Sequence, residues 1–263
     1  MTQNPDWKKE IEEYCGRFDV PIDYLTVTLS DPKIMTVIRG KAFEYSAVLA
    51  LRRVLAADEW RVEKPLSNAS GGHGDIDVKV THIPTGTIVR VECKLAGSFS
   101  HHPTKAKPPT TPEYSIIKVK CMRSRTLGAA KVEEIAPKLG VSVEALSAHA
   151  DNYRPADFDV VLTSIGNAFY RTNEAGEYEF TPSKKELEFL ERLNPGHRNH
   201  RVGAFGRLYL AKSADLYVGN PTYPVTCVRQ KCKAQGHSKD CGFIPNIPSS
   251  IFRRTRPNPT TVG

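Results

Sequence analysis

Two short segments hold residue types that could carry out hydrolysis. One reads Gly71-Gly72-His73-Gly74-Asp75-Ile76-Asp77-Val78-Lys79-Val80, the other Val89-Arg90-Val91-Glu92-Cys93-Lys94-Leu95. Each alternates apolar and polar residues at a period of two, the pattern of a strand whose two faces differ. Ile76, Val78 and Val80 share one face with Asp75, Asp77 and Lys79 behind them; Val91, Cys93 and Leu95 oppose Arg90, Glu92 and Lys94. Pro84-Thr85-Gly86 predicts a turn between the segments, and a hairpin centred between Pro84 and Thr85 sets Asp77 opposite Glu92 and Asp75 opposite Lys94. Directly opposed side chains have Cβ atoms roughly 4.5 to 5.5 Å apart, so two facing carboxylates repel unless a cation lies between them. A hard divalent ion such as Mg2+, which takes carboxylate oxygens together with water and phosphate, meets that need. The competing reading is a solvated strand face, on which alternating charges are ordinary.

Glu44 shifts the balance. It shares a helical face with Val48, Leu51 and Leu55, and a carboxylate there must be paired or coordinated, since burying an isolated charge costs several kcal/mol. A metal site would supply the partner; so would water or a lysine at the edge of the stripe. His73 lies in the glycine-rich loop beside these acids, where a lone histidine is more often a bystander than a base.

A second constellation lies near the C-terminus, where Cys227, Cys232, His237 and Cys241 fall within fifteen residues. Four zinc-competent side chains at such spacing would form a closed Cys3His site holding structural Zn2+, with no open position for catalysis. Lys231, Lys233 and Gly236 between them make the segment resemble a zinc knuckle, with a wider gap between the first two cysteines. Free thiols or a disulfide are the alternative.

These groups need a scaffold. Residues 38–57 predict a helix, 75–80 and 88–95 the hairpin, 114–121 a third strand, 128–150 helical segments, 158–165 a buried strand, 168–172 a further strand, 184–193 a helix and 207–211 a strand. Residues 101–112 are too rich in proline for regular structure. Helix, hairpin, helices and strand in that order predict an α/β fold built on a mixed central sheet. Residues 1–220 are expected to form this domain, and 221–263 a basic tail with the Cys/His module.

Glu44 on a helix, Asp75-Ile76-Asp77 in one strand and Glu92-Cys93-Lys94 at the end of the next resemble the PD-(D/E)xK nuclease superfamily, and within it the type II restriction endonucleases. The direct match covers residues 38–96. The resemblance implies a mixed central β-sheet flanked by helices, with Asp77 and Glu92 as Mg2+ ligands and Lys94 positioning or activating the attacking water. Glu44 would be an accessory carboxylate acting through a water or a second ion. The implied activity is sequence-specific hydrolysis of double-stranded DNA to 5′-phosphate and 3′-hydroxyl ends by a homodimer. The proline that names the motif is missing, Ile76 preceding Asp77, so Asp75 is the rival metal ligand; Asp77 is preferred because it opposes Glu92.

Charge is compatible with this. The 263-residue chain has 37 Lys and Arg against 29 Asp and Glu, a formal net charge of +8. Residues 1–63 are slightly acidic, so the positive excess lies beyond them, in stretches that include Lys118, Lys120, Arg123 and Arg125, and Arg198 and Arg201. Such stripes suit a polyanion, because each neutralised phosphate releases counterions. Residues 135–147 resemble the turn of a helix-turn-helix, yet the would-be reading helix offers Glu144 and no basic residue, which favours a plain helical hairpin. The N-terminus lacks a secretory signal and no stretch is apolar enough for a membrane helix, so a cytoplasmic protein is expected. A nuclease specific for branched or modified DNA shares the same chemistry, and a non-catalytic zinc-containing nucleic-acid-binding protein would use only the basic surface.

Overall fold

A computed structural model describes residues 6–65, 76–102, 114–123, 126–193, 195–196, 199–221, 225–246 and 249–253. Helix α1 (Trp7–Arg17), capped by Asp6, and the short α2 (Leu25–Ser30) precede the long α3 (Pro32–Val54). The Asp31 side chain accepts the Lys33 amide at 2.8 Å and Pro32 occupies the first helical turn, two features that start a helix efficiently. Strands β1 (Trp60–Glu63), β2 (Val78–His82) and β3 (Ile88–Cys93) follow, then β4 (Ala96–His102) and β5 (Tyr114–Val119). Two short helices, α4 (Ala129–Ile135) and α5 (Val143–Ala148), lead to β6 (Val160–Ser164). Beyond these lie the hairpin β7 (Tyr170–Thr172) and β8 (Tyr178–Phe180), α6 (Lys184–Leu193), α7 (His200–Gly206), β9 (Leu208–Lys212), α8 (Gln230–Ala234) and β10 (Ser249–Arg253).

The central sheet has the order β1-β2-β3-β6-β9. β3 and β6 run parallel while the other neighbours are antiparallel, so the sheet is mixed. The β2–β3 register pairs Val78 with Val91 and Val80 with Val89, as the turn at Pro84-Thr85 requires. Alternation then sorts the side chains. Val62, Val78, Val80, Val91, Cys93 and Leu162 meet Phe43, Ala47 and Val48 of α3 on one face. On the other, Val161 joins Ile117, Val119, Cys121, Phe158, Ile165, Phe169 and Leu190. The polar face of the hairpin is buried at Glu92, 5% exposed, while Lys79 and Arg90 farther along it keep 33% and 34% of their side chains exposed.

Arg90 locks the parallel pair. Its backbone amide and guanidinium both donate to Asp159, at 2.7 and 2.9 Å, holding the Asp159 carboxyl below the usual range through that ion pair. The predicted helix over 184–193 is α6, and the strands expected at 158–165 and 207–211 are β6 and β9. The third expected strand, β5, belongs to a second sheet with β4 and β10. Beyond residue 220, Ile244 lies in the same core cluster as Phe158, and β10 pairs with β5. Residues 135–147 form a helical hairpin, with Gly140 at φ 64° in the left-handed region that glycine tolerates. No helix among the described residues is long and apolar enough to cross a membrane.

Leu162 is fully buried between α3 and the sheet, and its carbonyl accepts the Lys94 amide at 2.9 Å. Leu162→Ala should cost about 2–5 kcal/mol in urea unfolding; a loss within error of zero would contradict the packing described.

Candidate functional site

Glu44, Asp77, Glu92 and Lys94 are brought into one electrostatic neighbourhood where α3 crosses the ends of β2 and β3. Glu92 is 5% exposed and Glu44 6%, so both carboxylates are inside the protein. Asp77 lies one residue before β2, and its Oδ2 accepts the Cys93 amide at 2.9 Å. Burial, then the Glu92 and Glu44 carboxylates, push its pKa up to about 7. Asp75 and His73 lie outside the described residues.

Glu92 is held from two sides. The Lys94 ammonium is 2.7 Å from Oε1, and the Tyr153 hydroxyl donates to the same oxygen at 2.6 Å. Burial alone would lower the Lys94 pKa, but the Glu92 carboxylate and Tyr153 outweigh it and hold it above the usual lysine range. Lys94 is thus a fixed positive charge at neutral pH. Tyr153 is itself clamped, its ring lying 4.7 Å from the Arg123 guanidinium carbon and 5.4 Å from Lys94 Nζ. Arg123 also binds Asp157 at 2.6 Å. Arg123, expected as a DNA contact, is paired with Asp157 and lies over the Tyr153 ring, with 18% of its side chain exposed.

The partner that Glu44 requires is present as two lysines. Lys41, one turn earlier on α3, donates to both carboxylate oxygens at 2.8 and 3.1 Å, and Lys64 follows β1 to reach Oε2. Glu44 therefore acts on Asp77 through its field. Lys118 and Lys120 are exposed while Ile117, Val119 and Cys121 alternate inward, and Arg201 is exposed on α7. Arg125 and Arg198 lie outside the described residues.

The C-terminal cluster differs from the one expected. Ligand atoms of His149, Cys227, Cys232 and Cys241 all lie within 4.8 Å of one another, and the four could hold a metal such as zinc. His237 is corrected out of the set: its side chain is 61% exposed and faces Asp240 at 3.5 Å. The turn after α8 bonds the His237 amide to the Cys232 carbonyl at 3.1 Å, with the imidazole outside. All six cysteines are unbridged in the structure.

Tyr153, Lys64 and His149 were not found from the sequence. Tyr153 and His149 lie far along the chain from Glu92 and Cys227, so no spacing marks them, and Lys64 depends on a strand with no clear alternation. Lys41 did have a signal, its position three residues before Glu44 on a helix. Comparison with protein-family models, with curated proteins and with solved structures gives no significant match.

Asp77 also sets a pH dependence. Its folded pKa, about 7, lies above its ordinary value of 3.8, so between those limits the folded chain keeps a proton that the unfolded chain loses. Stability from this group is present at low pH and is lost as pH rises through about 7. Without divalent ions, Asp77→Asn should be more stable than wild type at pH 8, with the gap closing toward pH 4. Thermal melts in chelator at both pH values measure this; a variant less stable at pH 8 would contradict the repulsion.

Proposed function

We propose that the chain is a Mg2+-dependent DNA endonuclease of the PD-(D/E)xK type, cutting double-stranded DNA at specific sequences as a type II restriction enzyme does. The observation that carries the reading is the meeting of Asp77 and Glu92 beside a charged, immobilised Lys94 inside the sheet. A structural ion pair would match one acid to one base. Here the Asp77 carboxyl is pushed up to about 7 by burial and then by the neighbouring Glu92 and Glu44 carboxylates, against the pull of the Cys93 amide and Lys94.

The donor set fits the ion. Asp77 and Glu92 offer carboxylate oxygens, which Mg2+ prefers, and they would hold it together with water and phosphate. When bound, Mg2+ would polarise the scissile phosphate and lower the pKa of a coordinated water. Tyr153 keeps Glu92 oriented by its hydrogen bond to Oε1. Lys94, held protonated, suits a hydrogen bond to a phosphate oxygen or to the attacking water, and does not serve as a base. Glu44 contributes negative field and is not needed as a ligand, since Lys41 and Lys64 already bind it. The mixed sheet with α3 across one face is compatible with a restriction-endonuclease-like fold.

Of the six expected DNA contacts, Lys118, Lys120 and Arg201 are exposed and available to phosphates. A homodimer, which a two-fold symmetric DNA site calls for, has support in the exposed apolar side chains Trp7, Tyr14, Phe18, Tyr24 and Val27 of the N-terminal arm. The Cys3His cluster would supply no reacting group to the hydrolysis.

Incubation of a sequenced plasmid with the full chain and Mg2+ should give discrete fragments with uniform 5′-phosphate ends. Lys94→Ala and Asp77→Ala should each lower the cutting rate by about 10²-fold or more. Undiminished cutting by both variants would refute the site, and salt-sensitive binding without cutting by wild type would favour the non-catalytic reading.

A further inference from the structure

The His149 imidazole ends α5 with 2% of its surface exposed, its ring stacked on Phe243 at 4.3 Å and 5°. Nδ1 lies 2.8 Å from the Ala145 carbonyl, which can only accept, so Nδ1 carries the proton. That bond fixes the tautomer and leaves the Nε2 lone pair facing the sulfurs, 3.4 Å from Cys227 Sγ. A carbonyl or carboxylate behind the imidazole is the usual arrangement for a ligating histidine. Tetrahedral zinc with bonds of about 2.3 Å to sulfur and about 2.05 Å to nitrogen sets its ligand atoms roughly 3.5 to 3.8 Å apart. The four atoms here, all within 4.8 Å of one another, need little adjustment to close around such an ion.

The ligands come from two distant parts of the chain. Cys232 lies in α8 with Cys227 before it and Cys241 after it, while His149 begins a turn that delivers Tyr153 to Glu92. The turn is gripped by the same C-terminal segment. Arg229 reaches Asp151 and the Asn246 Oδ1, the latter at 2.8 Å. Asn152 donates to the Ile244 carbonyl at 2.7 Å, and Ile244 donates back to the Tyr153 carbonyl at 2.8 Å. The Asn152 amide bonds the His149 carbonyl at 2.8 Å.

We propose that His149, Cys227, Cys232 and Cys241 bind one Zn2+ in a closed structural site, and that this ion pins the 149–153 turn and so positions Tyr153. Three thiolates and an imidazole in a tetrahedron select zinc among the common divalent ions. With four protein ligands no position is left for substrate. The assignment stands whether or not the carboxylates hydrolyse DNA, because nothing in it uses Asp77 or Lys94.

The test measures metal in the full-length protein and in single variants. Wild type and His237→Ala should each carry one Zn2+ per chain by mass spectrometry, and with Co2+ both should show the intense visible bands and thiolate charge transfer of a tetrahedral site. His149→Ala should lose zinc affinity by orders of magnitude in competition with a chromophoric chelator. Should that variant not fold, His149→Cys should keep the metal with the Co2+ bands shifted toward those of an all-thiolate site. Zinc lost from His237→Ala but kept by His149→Ala, an unshifted spectrum in His149→Cys, or a wild type that binds neither ion would overturn the assignment. For the pinning, zinc removal should accelerate hydrogen exchange at the Asn152 and Ile244 amides; unchanged exchange there would overturn it.

Discussion

The burial of three carboxylates at the ends of β2 and β3 is the constraint on which the rest of the structure depends. A carboxylate inside a protein is tolerable when hydrogen bonds and opposite charge replace the water it loses. Glu44 meets that condition through Lys41 and Lys64, and Glu92 through Lys94 and Tyr153. Asp77 has the Cys93 amide and the more distant field of Lys94, set against burial and two neighbouring acids, and its pKa climbs to about 7 in consequence. A fold selected for stability alone could remove this strain with one neutral side chain. A divalent cation between the carboxylates would relieve the same repulsion.

Much of the surrounding architecture serves to keep these groups where they are. α3 covers one face of the sheet and brings Glu44 with it; the Arg90–Asp159 pair sets β6 beside β3. On the opposite face the turn from His149 to Tyr153 closes over Glu92, backed by Arg123 and Asp157. Rigid support of this kind is what a hydrolytic site requires, since its polar groups must already be oriented when substrate arrives. The C-terminal segment belongs to that support: it grips the turn through Arg229, Asn246 and Ile244.

Local patterns made a good part of this legible in the sequence. Period-two alternation and Pro84-Thr85-Gly86 were enough to set the β2–β3 register and bring Asp77 to the Glu92 end, because a hairpin's register follows from its turn. Glu44 could be singled out because a carboxylate in an apolar stripe violates an expectation. What could not be read depends on long-range contact. His149 lies 78 residues from Cys227, and the local Cys-and-His spacing drew attention to His237, which the chain then leaves in solvent. Arg123 looked like a surface cation because charge along a sequence does not say which guanidinium finds a carboxylate. β1, β4 and β10 were missed for a related reason: strands that are short or weakly alternating gain their stability from neighbours.

Direct titration of the full chain with Mg2+, and with Mn2+ as a spectroscopic substitute, bears most immediately on the central claim that Asp77 and Glu92 form a divalent-cation site. Calorimetry in buffers of differing ionisation enthalpy at pH 6.5 should show saturable binding accompanied by proton release, because the ion displaces the proton that Asp77 holds near its pKa of about 7. Binding should disappear in Asp77→Asn and in Glu92→Gln. Absence of saturable binding by wild type, or binding unaltered by both substitutions, would contradict the account.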